Sequence, residues 1–170
     1  MRKIILLIAI MISAAFSALA QNSNMEIVFD FEKCKYWTSA TGNYEVESVF
    51  YQNQPQGFIK FWEKRKAELC GVFRDAANLS AKGKYLFGDN INSPYYVLVN
   101  MLQVDPDGEV ECIVKVMRRG GEGEYEPTIA EYEIGANGKK SDFYDNISAE
   151  GFRKTGLKFG KLMLKYKPVR

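Results

Sequence analysis

An α+β fold, with an antiparallel sheet of about four to five strands and two long helices packed on one face, is what this sequence predicts. Three observations carry the expectation. The apolar period switches from two residues to about 3.6 and back along the chain, the alternating segments fall consecutively between two helical ones, and the length suits a single core. Of the 170 residues, the first 20 read as a leader, which leaves 150 for one domain over 21–170.

The leader is read from its three parts. Met1, Arg2 and Lys3 give a positive start, Ile4 to Phe16 an apolar stretch, and Ser17-Ala18-Leu19-Ala20 the small residues of a cleavage site before Gln21. A secretory signal peptide over 1–20 is expected. The apolar stretch is shorter than the roughly 20 residues that cross a bilayer, so no stable membrane anchor is expected. Cys34 follows Phe31-Glu32-Lys33, which is not a lipid-attachment pattern. The protein is therefore expected in the periplasm or outside the cell.

Each element then has its own signal. Met25 to Phe31 alternates Ile27, Phe29 and Phe31 against Glu26, Val28 and Asp30 as a first strand. Tyr44 to Tyr51 alternates less cleanly, as a second strand or an irregular approach to the next element, and Pro55 and Gly57 end it. From Phe58 the period is helical. Phe58, Phe61, Trp62, Leu69, Val72, Phe73 and Ala76 form one stripe with Lys60, Glu63, Lys64, Lys66 and Arg74 opposite, which predicts a helix from Phe58 to Asn78 with Trp62 in the core.

The middle of the chain reads as strands. Tyr95 to Val104 and Glu109 to Arg119 flank Asp105-Pro106-Asp107-Gly108, where Pro and Gly suit a tight turn, so a β-hairpin is expected. The same four residues could open a calcium loop, but position 116, where the closing Glu belongs, is Val. No metal site is expected. Thr128 to Ile134 follows a glycine-rich tip as a third strand with Glu131 and Glu133 on its outer side, and Ala136 to Lys140 makes another turn.

From Ser148 onward, Phe152, Gly156, Phe159, Met163 and Tyr166 fall on one side of a helix, with Lys154, Lys158, Lys161 and Lys165 on the other. The apolar stripe should press on the sheet, and Gly156 and Gly160 should let the helix backbone approach strand residues closely. The four lysines form a candidate basic interaction face. It could meet anionic lipid or an acidic partner, or be an ordinary solvated face.

Composition removes function classes. The formal charge of +2 is carried by Arg2 and Lys3, so beyond the leader 21 basic residues balance 21 acidic ones and nucleic-acid binding is not expected. The chain has no histidine, which removes the usual general base, the imidazole triads and the commonest zinc ligand. No catalytic residue and no cofactor is expected, although a carboxylate pair would remain chemically open. Cys34, Cys70 and Cys112 leave one thiol over if one pair forms. Cys112 alternates with Val110, Val114 and Val116 on a buried strand face, so Cys34 with Cys70 is the candidate disulfide.

The Arg74-Asp75-Ala76-Ala77-Asn78 helix end, a glycine about five residues later, the Tyr96-Val97-Leu98-Val99 strand and the closing glycine-bearing helix resemble one family. It is the small envelope domain seen in the N-terminal part of the TolB translocation protein and in curli-export lipoproteins. The leader's Ala-Leu-Ala-Gln end resembles those of secreted Bacteroidota proteins. This likeness, over roughly 25–166, implies a non-enzymatic envelope protein that meets a protein partner as an interaction or assembly module. A small-ligand module, with a pocket lined by some of the ten Tyr and eleven Phe, is the alternative.

Overall fold

A computed structural model describes residues 24–38, 41–89, 93–120, 126–138 and 149–165. The expected leader, the tip at 121–125, Ser148 and Tyr166 lie outside them. In chain order the described elements are β1 (Asn24–Asp30), β2 (Lys35–Thr38), β3 (Asn43–Val46), α1 (Glu47–Gln52), α2 (Gln56–Ala81), β4 (Leu86–Gly88), β5 (Tyr95–Val104), β6 (Val110–Arg118), β7 (Thr128–Ala136) and α3 (Glu150–Lys165). The α+β class and the two long helices agree with the sequence, while the sheet is larger than expected, with seven strands among the described residues.

The sheet is mixed, not antiparallel. The β5–β6–β7 meander is antiparallel, as the hairpin signals require, but β1 pairs in parallel with both β5 and β4. The cause is the crossover. A chain that leaves β1, passes through α2 on one face and returns to a neighbouring position runs in the same direction as before. Strand β2 also pairs in parallel with β5, and it continues the line of β1. Asp30 faces Asn100 and Lys35 faces Gln103, so five residues stand against three and two loop out between them. The Cys34 N–H donates to the Phe31 carbonyl at 2.9 Å within that excursion.

The expected element from Tyr44 to Tyr51 divides into β3 and the one-and-a-half-turn helix α1. The helix expected from Phe58 to Asn78 runs longer, from Gln56 to Ala81. The Asp105 turn is as expected: the Gly108 N–H donates to the Asp105 carbonyl at 2.9 Å, and Gly108 has φ 80°, a backbone conformation glycine adopts without a Cβ clash.

Register identifies the covered face. Paired residues share a face, so Phe87, Met25, Ile27, Val97, Val116 and Ala130 lie together, as do Phe29, Val99, Val114 and Tyr132. Beyond Met101 a bulge at Leu102 restores Val104 to the inside, so both Met101 and Val104 are buried. Phe73 of α2 meets Phe29 edge-on at 5.4 Å, and Phe159 of α3 meets Phe87 at 5.1 Å and Tyr132 at 6.5 Å. Both long helices therefore cover this one face.

They also cover each other. Phe73 and Phe159 stack at 6.1 Å between centroids, and Gly156 and Gly160 of α3 face α2 instead of a strand, which corrects the expectation for them. A Cβ on Gly156 would collide with the Phe73 carbonyl, and one on Gly160 with the Ala77 carbonyl and the Ser80 hydroxyl. Two helices packed backbone to backbone make one layer with no room between them for a larger side chain.

Candidate interaction surfaces

The four lysines of α3 do share one exposed side, and α3 runs antiparallel along β7 so that this side overhangs the strand's free edge. Lys154 Nζ donates to the Asn137 carbonyl at 3.1 Å and Lys158 Nζ donates to the Gly135 carbonyl. Lys154 also lies 3.8 Å from Glu150. Half of the basic stripe is thus engaged by its own chain. Lys161 and Lys165 have no such partner among the described residues, and with Lys158 and Leu162 they wall a groove of about 340 Å³ whose other side is Glu133, Ile134 and Gly135.

The free edge on the other side of β1 is closed more completely. The Asn78 side chain, projecting from α2, accepts from the Phe87 N–H at 2.7 Å and donates to the Phe87 carbonyl at 2.9 Å. One carboxamide thereby takes the place of a neighbouring strand for the short β4.

The β2–β3 ribbon carries a second surface on the outer side of the sheet. Tyr36 points inward, where it stacks on Phe50 at 4.8 Å, so its neighbour Trp37 points outward and stands directly opposite Tyr44. The two rings meet edge-on at 5.3 Å, yet Trp37 remains 38% and Tyr44 42% exposed, with Val46 beside them at 39%. The Tyr44 hydroxyl donates to Asp105 Oδ2 at 2.9 Å, to which Gln103 also donates at 3.3 Å. Burial and that carboxylate push the Tyr44 hydroxyl up to about 12, so it stays a donor and its ring stays anchored.

A polar cluster gathers around Lys66, which the sequence periodicity places on the solvated side of its helix, with Glu63 at its half-exposed rim. Lys66 is buried, with Nζ 2.6 Å from Glu47 of α1 and 2.9 Å from Glu63, over the Phe31 and Tyr51 rings at 5.1 and 5.4 Å. Tyr36 donates to Glu47 at 2.8 Å, and Tyr51 donates to Glu47 at 3.1 Å and to Glu63. Glu47 and Lys66 are 19 residues apart, and no local spacing connects them.

This cluster holds charge in place and does not activate it. Burial raises the Glu63 carboxyl, but the Tyr51 and Lys66 hydrogen bonds outweigh it and set the group below the ordinary 4.5, the wrong direction for a general acid. Burial, with the nearby carboxylates, pushes both phenols well up, so they are donors and not bases. Cys34, beside the cluster, Cys70 and Cys112 are free thiols, so the Cys34–Cys70 bridge is not formed in this structure. Burial pushes each thiol up to about 12, which leaves almost no thiolate at neutral pH. Among the described residues no group of acids and cysteines is placed to hold a metal ion, and no helix is long and apolar enough to cross a membrane.

No family model and no curated protein matches the chain. Among solved structures, an uncharacterized protein is similar at 12% identity and TM-score 0.43, covering 85% of this chain and 92% of its own. Protein XCC0632 from Xanthomonas campestris, of the DUF330 family, is similar at 14% identity and TM-score 0.39, covering 85% and 83%. Neither match is close enough to give a residue a role.

Proposed function

We propose that this chain is an exported, non-enzymatic interaction module of a cell envelope, which docks on a protein partner through the aromatic end of its outer sheet face. The Trp37–Tyr44 pair carries the proposal. Tryptophan and tyrosine supply much of the binding energy of protein interfaces, and a ring held in place before binding loses little freedom on contact. Trp37 and Tyr44 hold each other by a ring contact, Tyr44 is tied to Asp105 as well, and both are two-fifths exposed on the face opposite the one that the helices cover. The leader-like first 20 residues support export.

The chemistry of the acids and thiols supports a non-enzymatic role. The carboxylates of Glu47 and Glu63 converge on one lysine, which offsets one of their two charges, and Cys34 and Cys112 are buried. A small-ligand module is less well supported. The inward rings pack on one another, and the groove beside β7 is lined by no aromatic side chain.

Trp37 and Trp62 are the two tryptophans, and Trp62 is fully buried, so Trp37 reports on its own surface. Native envelope fractions should yield a partner that shifts Trp37 emission to shorter wavelength on binding. Trp37→Ser with Tyr44→Ser should weaken capture by at least about tenfold, or about 1.4 kcal/mol, with an unchanged thermal melt. A partner held equally by the folded double variant would overturn the assignment of this surface.

A further inference from the structure

We infer that the open part of the β7 edge takes an added strand: an extended segment of a protein partner whose charges alternate, acidic toward α3 and basic toward the outer face. The juxtaposition is a half-capped strand edge with opposite charges on its two sides. It lies at the far lateral end of the sheet from the Trp37 ribbon and does not depend on that surface.

The direction of the backbone groups follows from two hydrogen bonds. An antiparallel strand turns the N–H and C=O of alternate residues toward opposite neighbours. Lys158 and Lys154 reach the carbonyls of Gly135 and Asn137, so these residues, and with them Glu131 and Glu133, present their peptide groups to the free edge. The Asp105 N–H bond to the Glu109 carbonyl gives the same phase along β6, since it turns Glu111 toward β5 and leaves Cys112 to pair with Ile134. Ammonium groups only donate, so the two lysines satisfy carbonyls and no N–H, and by the same alternation Glu131 and Glu133 turn their N–H groups to an edge where no strand pairs with β7 among the described residues. In contrast, Asn78 satisfies both groups of Phe87 at the β4 edge.

Charge selects the occupant. An added strand would send alternate side chains to the two faces of the sheet. On the helix side they enter the groove beneath Lys158, Lys161 and Lys165, and on the outer side they meet Glu133 and Glu131, the latter already 3.3 Å from Lys115 of β6. A second copy of β7 is a poor fit, because antiparallel pairing about this edge would set these glutamates against one another. An alternating acidic and basic segment matches both sides at once.

The probe is a capped synthetic octapeptide alternating Glu and Lys, compared with a block peptide of four Glu then four Lys, and with the alternating peptide N-methylated at every second amide. The purified protein should bind the alternating peptide at least about tenfold more tightly than the block peptide. Its binding should slow amide hydrogen exchange at Glu131 and Glu133 at least about tenfold, and N-methylation in the phase that faces β7 should abolish both effects. Lys161→Glu with Lys165→Glu should weaken binding at least about tenfold. If that variant does not fold, the alternating peptide with and without N-methylation, on the unaltered protein, decides alone. Equal binding of the alternating and block peptides, or no binding at millimolar peptide, overturns the inference. Trp37→Ser should leave peptide binding unchanged, so a failure here is distinguishable from a failure of the ribbon.

Discussion

The two halves of α2 bury themselves in opposite ways. Toward its C-terminus, Phe73 and Ala77 meet the backbone of α3 at Gly156 and Gly160, in a contact made of apolar surface and close approach. Toward its N-terminus, Trp62 packs edge-on against Tyr36, and one turn later Lys66 enters the interior to meet Glu47 and Glu63. The C-terminal half is stabilised by apolar packing and by a close approach that needs glycine at 156 and 160. The N-terminal half depends on each charge finding its partner, because desolvating an ion is costly unless it is paired and hydrogen-bonded. The same helix therefore contains one region constrained by volume and one constrained by charge.

The sharpest test of the apolar half is Phe159→Ala, which removes the ring that Phe73, Phe87 and Tyr132 all touch. Its loss should cost about 3 to 5 kcal/mol, and Phe73→Ala a similar amount, read as a fall in the denaturant midpoint. A Phe159→Ala melt equal to that of the unaltered protein would remove Phe159 from the core.

The ionic half should respond slightly less, and differently. Lys66→Met leaves Glu47 with Tyr36 and Tyr51 as donors, so the cost should be about 3 kcal/mol, the lower end for a broken buried pair. The variant should also change the pH dependence. Glu63 titrates below 4.5 in the folded protein, so its pairing stabilises above that pH and is lost as pH falls through the lower folded value. Over that acid limb, unfolding free energy should fall less steeply with decreasing pH in Lys66→Met than in the unaltered protein. Parallel curves would show that Glu63 owes its low value to Tyr51 alone.

Much of this architecture was legible in the sequence because it is local. The Phe58 stripe, the Phe152 stripe and the turn at Asp105 each lie within a few residues of one another, and they predict α2, α3 and the β5–β6 hairpin. What the sequence hid is non-local or short. Strands β2 and β4 have four and three residues, too few to show a period. The parallel pairing of β1 depends on where the crossover returns, and the fate of Lys66 on a carboxylate 19 residues away. The glycines of α3 announced a close contact, but no spacing could say that α2 was on its other side. The lysine stripe was legible as a face, while its position over a strand edge was not.

Lys158 gives the smallest expected effect and separates that face from the core next to it. Its ammonium group reaches the Gly135 carbonyl at the exposed edge of β7, whereas Phe159, one residue on, is fully buried. A hydrogen bond to a carbonyl that water can also reach adds little, because water replaces the lost donor, and holding a long side chain in one rotamer costs entropy. Lys158→Ala should therefore change stability by less than about 0.5 kcal/mol, roughly a tenth of the Phe159→Ala loss. Chemical denaturation of the two variants side by side checks the ratio. A Lys158→Ala loss approaching that of Phe159→Ala would mean that the lysine clamps α3 to the sheet edge, and the basic stripe would then belong to the fold before it belonged to any partner.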